Sequence, residues 1–227
     1  MADWLNREPT HDSPYYPFVK VATADTLAGA EELPYIMTRY LMDLPDATGY
    51  EPPSDNRFPR ARLKKLLYWD CPRPLDQPLP TPEQIFGILY DPENPDRPPD
   101  PDRGYRIFPQ NMTQQSMAWT GSLVRCYLGD AYILSADKNY ITRQDVGFDV
   151  LVNVGIEGNI GTTSASRAYS ILQCIKEATA GVNFGGVGAI TPRRITKIDD
   201  ERTFLGYKYY AYIDWQSDGE HPNFALK

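Results

Sequence analysis

The sequence predicts an α+β fold, in which a mostly antiparallel sheet carries one main amphipathic helix after a long, proline-rich and largely irregular N-terminal region. Most of the 21 prolines lie between Pro45 and Pro109. Alternating apolar segments, which are typical of strands, dominate after residue 110. One segment among them repeats its apolar residues at helical spacing. These three observations decide the fold class.

The same changes in composition divide the 227 residues into four parts. These are an N-terminal arm (1–30), a helix with a proline-rich extended region (31–109), an α/β core (110–218) and a C-terminal tail (219–227). Hydrophobic residues make up 41% of the chain and charged residues 23%, as is typical of a globular protein.

The region before the core contains three short predicted elements. A helix is predicted over Ala24–Asp43, with its regular part starting near Leu33 because Pro34 is tolerated only in a first turn. Arg62–Asp70 fits a short helix or strand. Thr81–Tyr90 fits a short helix capped by Thr81. The stretch from Asp91 to Gly104 has no apolar residue and predicts an exposed extended loop.

The core begins with two predicted strand units. Ser122–Leu134 alternates and contains Gly129-Asp130, which indicates a β-hairpin with a turn there. Phe148–Val154 indicates a strand with one buried face, formed by Phe148, Val150, Val152 and Val154. The other face of that strand is mixed and holds Asp149, Leu151 and Asn153.

The main helix is predicted over Ala165–Thr179, with Ser164 as its N-cap and Gly181 at its C-cap. Its apolar stripe consists of Ala168, Ile171, Leu172, Ile175 and Ala178. The residues expected to face away from the sheet are Arg167, Ser170, Gln173 and Lys176.

Two further strands, Ala189–Ile198 and Thr203–Gln216, are predicted to be joined by the polar residues 199–202. In the second strand both faces are aromatic. One face holds Leu205, Tyr207, Tyr209, Ala211, Ile213 and Trp215, and the other holds Phe204, Lys208, Tyr210, Tyr212 and Asp214. A strand of this kind is expected to be covered on one side by the helix and on the other by more protein.

Charge and segment composition exclude several classes of function. The net charge is −7, whereas a free duplex DNA binder usually carries a basic face. A negative wall still suits a protein that DNA merely passes, because it repels phosphates. The N-terminus has no apolar segment of a signal peptide, and no apolar run is long enough to span a membrane. Three unpaired cysteines, Cys71, Cys126 and Cys174, fit a reducing compartment.

The strand–glycine–helix order around Gly155, Gly158 and Gly161 is shared with phosphate-binding loops. The spacing does not match a dinucleotide fingerprint, and no lysine follows before Ser170 as a Walker loop requires. Glu157 would also repel a phosphate. We therefore interpret the segment as a loop that meets another protein surface, and we expect no cofactor.

Catalytic and metal sites find little support in the sequence. The two histidines, His11 and His221, lie in terminal polar segments, so a Ser-His-Asp or Cys-His pair would need one of these ends to return to the core. Prolines that follow the acids between Asp91 and Asp102 oppose the fold-back of a calcium loop. We expect no catalytic residue and no metal ligand.

The order of elements after Trp119 resembles the tail-terminator and head–tail joining (neck) proteins of long-tailed phages. The resemblance extends to Trp215 and rests on the helix "SRAYSILQCIKEA", the turn "NFGGVGAI" and the strand "YKYYAYIDW". It implies a homo-oligomeric ring, commonly a hexamer, that joins the tail tube to the head connector while DNA passes through the lumen without specific binding. It also implies a virion protein made in the bacterial host cytoplasm, with no membrane partner.

Interface candidates follow from the aromatic strand and the glycine loop. They are Phe204, Tyr207, Tyr209, Tyr210, Tyr212, Trp215, Glu157 and Asn159. We expect ring closure to bury the apolar surface of Phe204–Trp215 and of the helix Ala165–Thr179. Two alternatives stay open: a tail-tip module that binds a host surface through exposed tyrosines, and a hydrolase that uses a pair of carboxylates.

Overall fold

The computed structural model describes residues 33–42, 54–81, 84–85, 106–109, 121–133, 139–156, 166–182, 189–200 and 204–218. In these ranges the chain forms three α-helices and five strands. The helices are α1 (Leu33–Met42), α2 (Pro59–Tyr68) and α3 (Arg167–Thr179). The strands are β1 (Ile107–Phe108), β2 (Ser122–Ile133), β3 (Asn139–Asn153), β4 (Thr191–Asp200) and β5 (Phe204–Asp218).

The strands form one sheet in the order β1-β2-β3-β5-β4. β2, β3, β5 and β4 pair antiparallel, and only the two-residue β1 pairs parallel, with β2. β3 and β5 are the central strands and pair along their full length, from Asn153 opposite Phe204 to Asn139 opposite Asp218. The predicted α+β class with a mostly antiparallel sheet is therefore confirmed, as are the two predicted strands that correspond to β4 and β5.

The predicted hairpin within Ser122–Leu134 is wrong, because β2 is one continuous strand. Gly129 and Asp130 form a bulge in which two residues oppose the single residue Asp145 of β3. The buried side chain of Gln144 donates from Nε2 to the carbonyl oxygen of Gly129 at 2.9 Å. The strand beyond the bulge continues to pair with β3, which a turn at this point would have prevented.

All three helices pack against one face of the sheet. The predicted stripe of α3 is buried there and meets the β3 residues Phe148, Val150 and Val152. Val154, predicted to share that face, is instead exposed because β3 ends at Asn153 and a turn follows. α3 is the longest of the three helices in this layer, whereas the sequence predicted a single main helix packed on the sheet.

The beginning of α3 differs from the prediction in two respects. The N-cap is Ser166, whose Oγ accepts a hydrogen bond from the backbone N–H of Tyr169 at 3.0 Å, whereas the predicted cap Ser164 lies outside the described residues. Arg167, expected to face away from the sheet, is completely buried. Gly181 lies just beyond the helix and has a φ of 73°, which glycine adopts without strain.

Arg167 is buried because the end of α2 supplies acceptors for its guanidinium. Nη1 donates to the carbonyl oxygens of Leu66 at 3.0 Å and Trp69 at 2.9 Å, and Nη2 donates to that of Cys71 at 2.8 Å. The last carbonyls of a helix have no partner within the helix, and a cation there is favoured by the helix dipole. Arg167 therefore connects α3 to the proline-rich region.

Parts of the proline-rich region belong to the core. α1 begins at Leu33, as predicted, and the segment predicted as a helix or strand at Arg62–Asp70 is the C-terminal part of a helix, α2, followed by two further residues. Leu63, Leu66 and Leu67 of α2 are buried in the same cluster as the sheet residues. Thr81 caps a helical turn at 84–85: its Oγ1 accepts from the N–H of Gln84 at 3.3 Å, while Oε1 of Gln84 accepts from the N–H of Thr81 at 2.8 Å. The predicted loop from Asp91 to Gly104 lies outside the described residues.

Candidate interaction surface

The face of the sheet opposite the helices is polar and aromatic, and we call it the polar face. It is formed by alternate residues of β2, β3, β4 and β5, and the buried leucine, isoleucine and methionine residues of the three helices belong to the cluster on the other side. A small apolar cluster closes one end of the polar face; it comprises Phe108, Leu123, Leu151 and Phe204, with Ile198 packed against it.

Asp149 is the centre of the polar face. Its side chain is 1% exposed, and three neighbouring side chains contact its carboxylate. Tyr127 donates from its hydroxyl to Oδ1 at 2.8 Å, Arg125 donates to Oδ2 at 2.9 Å, and Lys208 lies 3.6 Å from Oδ2. Arg125 and Lys208 are the residues directly opposite Asp149 on the two flanking strands. The buried charge is therefore held by cross-strand partners on both sides.

Tyr127 lies flat over Gly147, which is opposite it in the sheet. A Cβ placed on Gly147 would be 2.5 Å from Cζ and 2.8 Å from the hydroxyl oxygen of Tyr127. Only glycine leaves room for this ring, which covers the bare backbone of β3. Burial, and then the negative charge of Asp149, raise the pKa of Tyr127, so that it stays protonated as the donor to this carboxylate.

Arginines stack on the two tyrosines of β5 that face this side. The guanidinium of Arg143 lies 3.9 Å from the ring centroid of Tyr212, and that of Arg194 lies 4.3 Å from the centroid of Tyr210. Arg143 also donates two hydrogen bonds of 2.7 Å to Asp214, and these raise its pKa. Each arginine is thus fixed in direction by a ring, and Arg143 also by a carboxylate.

A further ion pair connects the edge strand β4 to β3. Arg193 donates from Nη1 to Oδ2 of Asp145 at 2.9 Å. Asp145, Asp149 and Asp214 are therefore each held by an arginine side chain. Among the described residues, Arg194 is the arginine of this face that forms no ion pair.

Of the predicted interface residues, Tyr210 and Tyr212 lie half-buried on the polar face. Phe204 shares this face but is buried in its small apolar cluster. The structure thus brings two of the eight residues together on an accessible surface. Trp215 pairs through its backbone with Thr142. Glu157 and Asn159 lie outside the described residues.

The other two predicted residues belong to the helical side. Tyr209 is 1% exposed, stacks on Phe148 at a centroid distance of 5.8 Å, and burial raises its pKa. Tyr207 contacts Tyr169 of α3 edge-to-face at 5.5 Å. The apolar surfaces of α3 and β5, which were expected to be buried by ring closure, therefore cover each other within a single chain.

Five polar-face residues were not among the predicted interface residues: Arg125, Tyr127, Arg143, Asp149 and Arg194. Their signal is the alternation of charged or aromatic residues along β2, β3 and β4, because such residues share one face of a strand. In Phe148–Val154 this alternation identified the mixed face. The ion pairs between strands join residues that are far apart in the sequence, so no local pattern predicted them.

The described residues contain no group of three or more side chains suited to hold a metal ion. Cys126 and Cys174 are buried, and burial raises the pKa of Cys174 to about 12. None of the described helices is long and apolar enough to cross a membrane.

No protein-family model matches this sequence, and no curated protein matches it either.

Proposed function

We propose that this chain is a non-enzymatic structural protein of a phage virion, which forms a ring as a tail terminator or neck component. The ring, commonly of six copies, would join the tail tube to the head connector, with DNA passing through its lumen. The observation that supports this most is the polar face, a broad sheet surface of stacked arginines and tyrosines whose side chains are already held in place.

Arginine and tyrosine are the residue types that most often anchor protein interfaces. On the polar face their conformations are fixed before any partner arrives: Arg143 is held by Tyr212 and Asp214, and Arg125 by Asp149. A partner that binds fixed side chains loses less conformational entropy than one that must order them. The polar face is suited to repeated docking of one protein surface on another.

The charge pattern fits a channel that DNA passes better than a DNA-binding groove. Phosphate binding needs arginines and lysines whose charge is available to the backbone. Here Arg125, Arg143 and Arg193 are each engaged by an aspartate, and the whole chain has a net charge of −7. Phosphates therefore gain little on this face.

The two alternatives fit the same surface less well. Recognition of a host glycan by tyrosines needs a ring face open to the sugar, but guanidinium groups cover one face of Tyr210 and of Tyr212. Hydrolysis by a carboxylate pair needs one carboxyl group that donates a proton. Of the acids on the polar face, Asp145, Asp149 and Asp214 are in ion pairs.

Native mass spectrometry and negative-stain microscopy of the full chain test the proposal. We expect closed rings that assemble on isolated tail tubes. Arg143→Glu and Tyr212→Ala should each weaken assembly by about tenfold or more, as loss of an interface anchor does. Arg73→Glu is the matched control, because Arg73 is exposed and lies in the segment that follows α2, in no strand of the sheet. A chain that stays monomeric and fails to bind tail tubes would refute the proposal.

A further inference from the structure

β4 is an edge strand of the sheet, and it is unusually accessible. It pairs with β5 on one side, and among the described residues no strand pairs with its other side. Every residue from Thr191 to Lys197 is exposed, including the large apolar side chain of Ile195 at 41%. An edge strand presents a row of backbone donors and acceptors to any chain that can align with it.

The charges along β4 are ordered by sign. The strand reads "TPRRITKIDD", with Arg193 and Arg194 near its start and Asp199 and Asp200 at its end. A second copy aligned parallel would place like charges side by side. A second copy aligned antiparallel would place the basic start of each strand beside the acidic end of the other. Opposite charges across paired strands stabilise a sheet, and like charges destabilise it.

Native edge strands commonly avoid pairing through charged side chains, proline and bulges. β4 carries charges of both signs, which disfavour a parallel second copy but favour an antiparallel one. Pro192 and the irregularity between Pro192 and Arg194 interrupt the edge at its start. They leave Arg194–Asp200 as a regular edge with basic and acidic ends.

We infer that β4 pairs antiparallel with β4 of a second copy of this chain, so that two five-stranded sheets become one continuous sheet. The inference does not rest on the ring, since it needs only two copies related by a two-fold axis. Symmetry restricts how the strands align. The axis is perpendicular to the sheet, so directly opposed residues point to the same face and their numbers differ by an even number.

The axis must therefore lie midway between the two copies of one residue. Axes at Thr196 or Lys197 give the longest alignments in which opposite charges meet, and the alignment at Lys197 is the less favourable of the two because it places the two lysines opposite each other. In both alignments the position of Arg194 is opposite or diagonal to that of Asp200 in the second copy. Arg194 is suited to this contact, because it forms no ion pair among the described residues of its own chain. Ile195 would also lose exposed apolar surface in the joint, which favours pairing.

Cysteine cross-linking tests this alignment directly. Cβ atoms of directly opposed residues are about 4.5–5.5 Å apart, so a small adjustment allows a disulfide. In a Cys71→Ser background, where Cys126 and Cys174 are buried, Thr196→Cys or Lys197→Cys should give a cross-linked dimer on oxidation. Thr191→Cys is the matched exposed control and should not. Absence of the cross-link at both 196 and 197, or equal cross-linking at 191, would overturn the inference.

A charge exchange tests the cause of the alignment. Arg194→Asp alone and Asp199→Arg/Asp200→Arg alone should each weaken dimerisation by about tenfold, because two attractive contacts become repulsive. An equimolar mixture of the two variants should form mixed dimers with the affinity restored, measured by sedimentation after circular dichroism has shown that both variants are folded. A mixture that stays as weak as its components would overturn the inference.

Rings that form without the cross-link would overturn the strand pairing alone, and cross-linked dimers without rings would overturn the ring alone.

Discussion

Replacing Gly147 with alanine perturbs the centre of the polar face with a single methyl group. The new Cβ would lie 2.5 Å from Cζ, 2.6 Å from Cε2 and 2.8 Å from the hydroxyl oxygen of Tyr127. Carbon atoms in contact are about 3.5–4.0 Å apart, so the ring must move by about 1 Å or more. That movement breaks the 2.8 Å hydrogen bond from Tyr127 to Asp149.

The expected cost follows from these contacts. A hydrogen bond to a charged group contributes about 1.5–3 kcal/mol, and forcing an extra methyl into a packed site costs about 1–3 kcal/mol. Alanine in place of glycine within a strand by itself stabilises the folded state by about 0.5–1 kcal/mol. We therefore expect Gly147→Ala to lower the free energy of unfolding by about 3 kcal/mol. In a Tyr127→Ala background the same change should raise it by about 0.5–1 kcal/mol.

Urea unfolding of the four proteins of this double-mutant cycle measures both values. Gly155→Ala is a control, because its Cβ would meet only Oδ1 of Asn153, at 3.2 Å, and the position is exposed. The expected change there is below about 1 kcal/mol. If Gly147→Ala destabilised the protein equally with and without Tyr127, the ring would not be what requires glycine, and the reasoning would be refuted.

Three further predictions concern helix α3 and its N-cap. Arg167→Ala should lower the free energy of unfolding by about 3–5 kcal/mol, because three carbonyl oxygens lose a charged donor; Arg167→Lys should cost less, and equal losses in denaturant unfolding would contradict this role. Ser166→Ala should cost about 1 kcal/mol through loss of the N-cap, whereas an unchanged urea midpoint would count against the cap. Burial raises the pKa of Cys174 from 9.0 to about 12, so ionisation above pH 9 stabilises the unfolded chain. Stability should therefore fall between pH 9 and 12, and Cys174→Ala should lose less over that range; an identical loss in both proteins would contradict the assignment.

Periodicity in the sequence was sufficient where one face of an element meets the core. The stripe of α3, from Ala168 to Ala178, predicted the buried face of that helix, because an apolar repeat at helical spacing leaves one solution. The alternation along β5 likewise separated Tyr209, which is buried among the helices, from Tyr210 and Tyr212, which lie on the polar face. The local pattern of apolar residues therefore predicts on which face of its helix or strand a residue lies.

Local pattern failed where a distant partner decides the structure. Gly129-Asp130 has the composition of a turn, yet it is a bulge because β3 continues beyond it as a pairing partner. Arg167 has the sequence position of an outward-facing residue, yet it is buried because α2, about 100 residues earlier, ends with carbonyls that need a donor. Neither partner is visible within a sequence window around these residues.

The candidate surface was predictable only in part for the same reason. The aromatic residues of β5 predicted a strand that is covered by protein on both faces. The sequence could not show how much of its predicted interface α3 of the same chain covers. The polar face depends on register, which places Arg125 and Lys208 on the two sides of Asp149, and Arg143 opposite Asp214. These residues are brought together by strand pairing across up to 71 positions of sequence.

Native mass measurement of the full chain, combined with negative-stain images of the same sample, tests the proposal of a ring-forming structural protein most directly. The proposal predicts one closed assembly, a hexamer or a small multiple of it, with ring-shaped particles whose abundance falls for Arg143→Glu. A monomeric mass across the accessible concentration range, with no ring in the images, would contradict it.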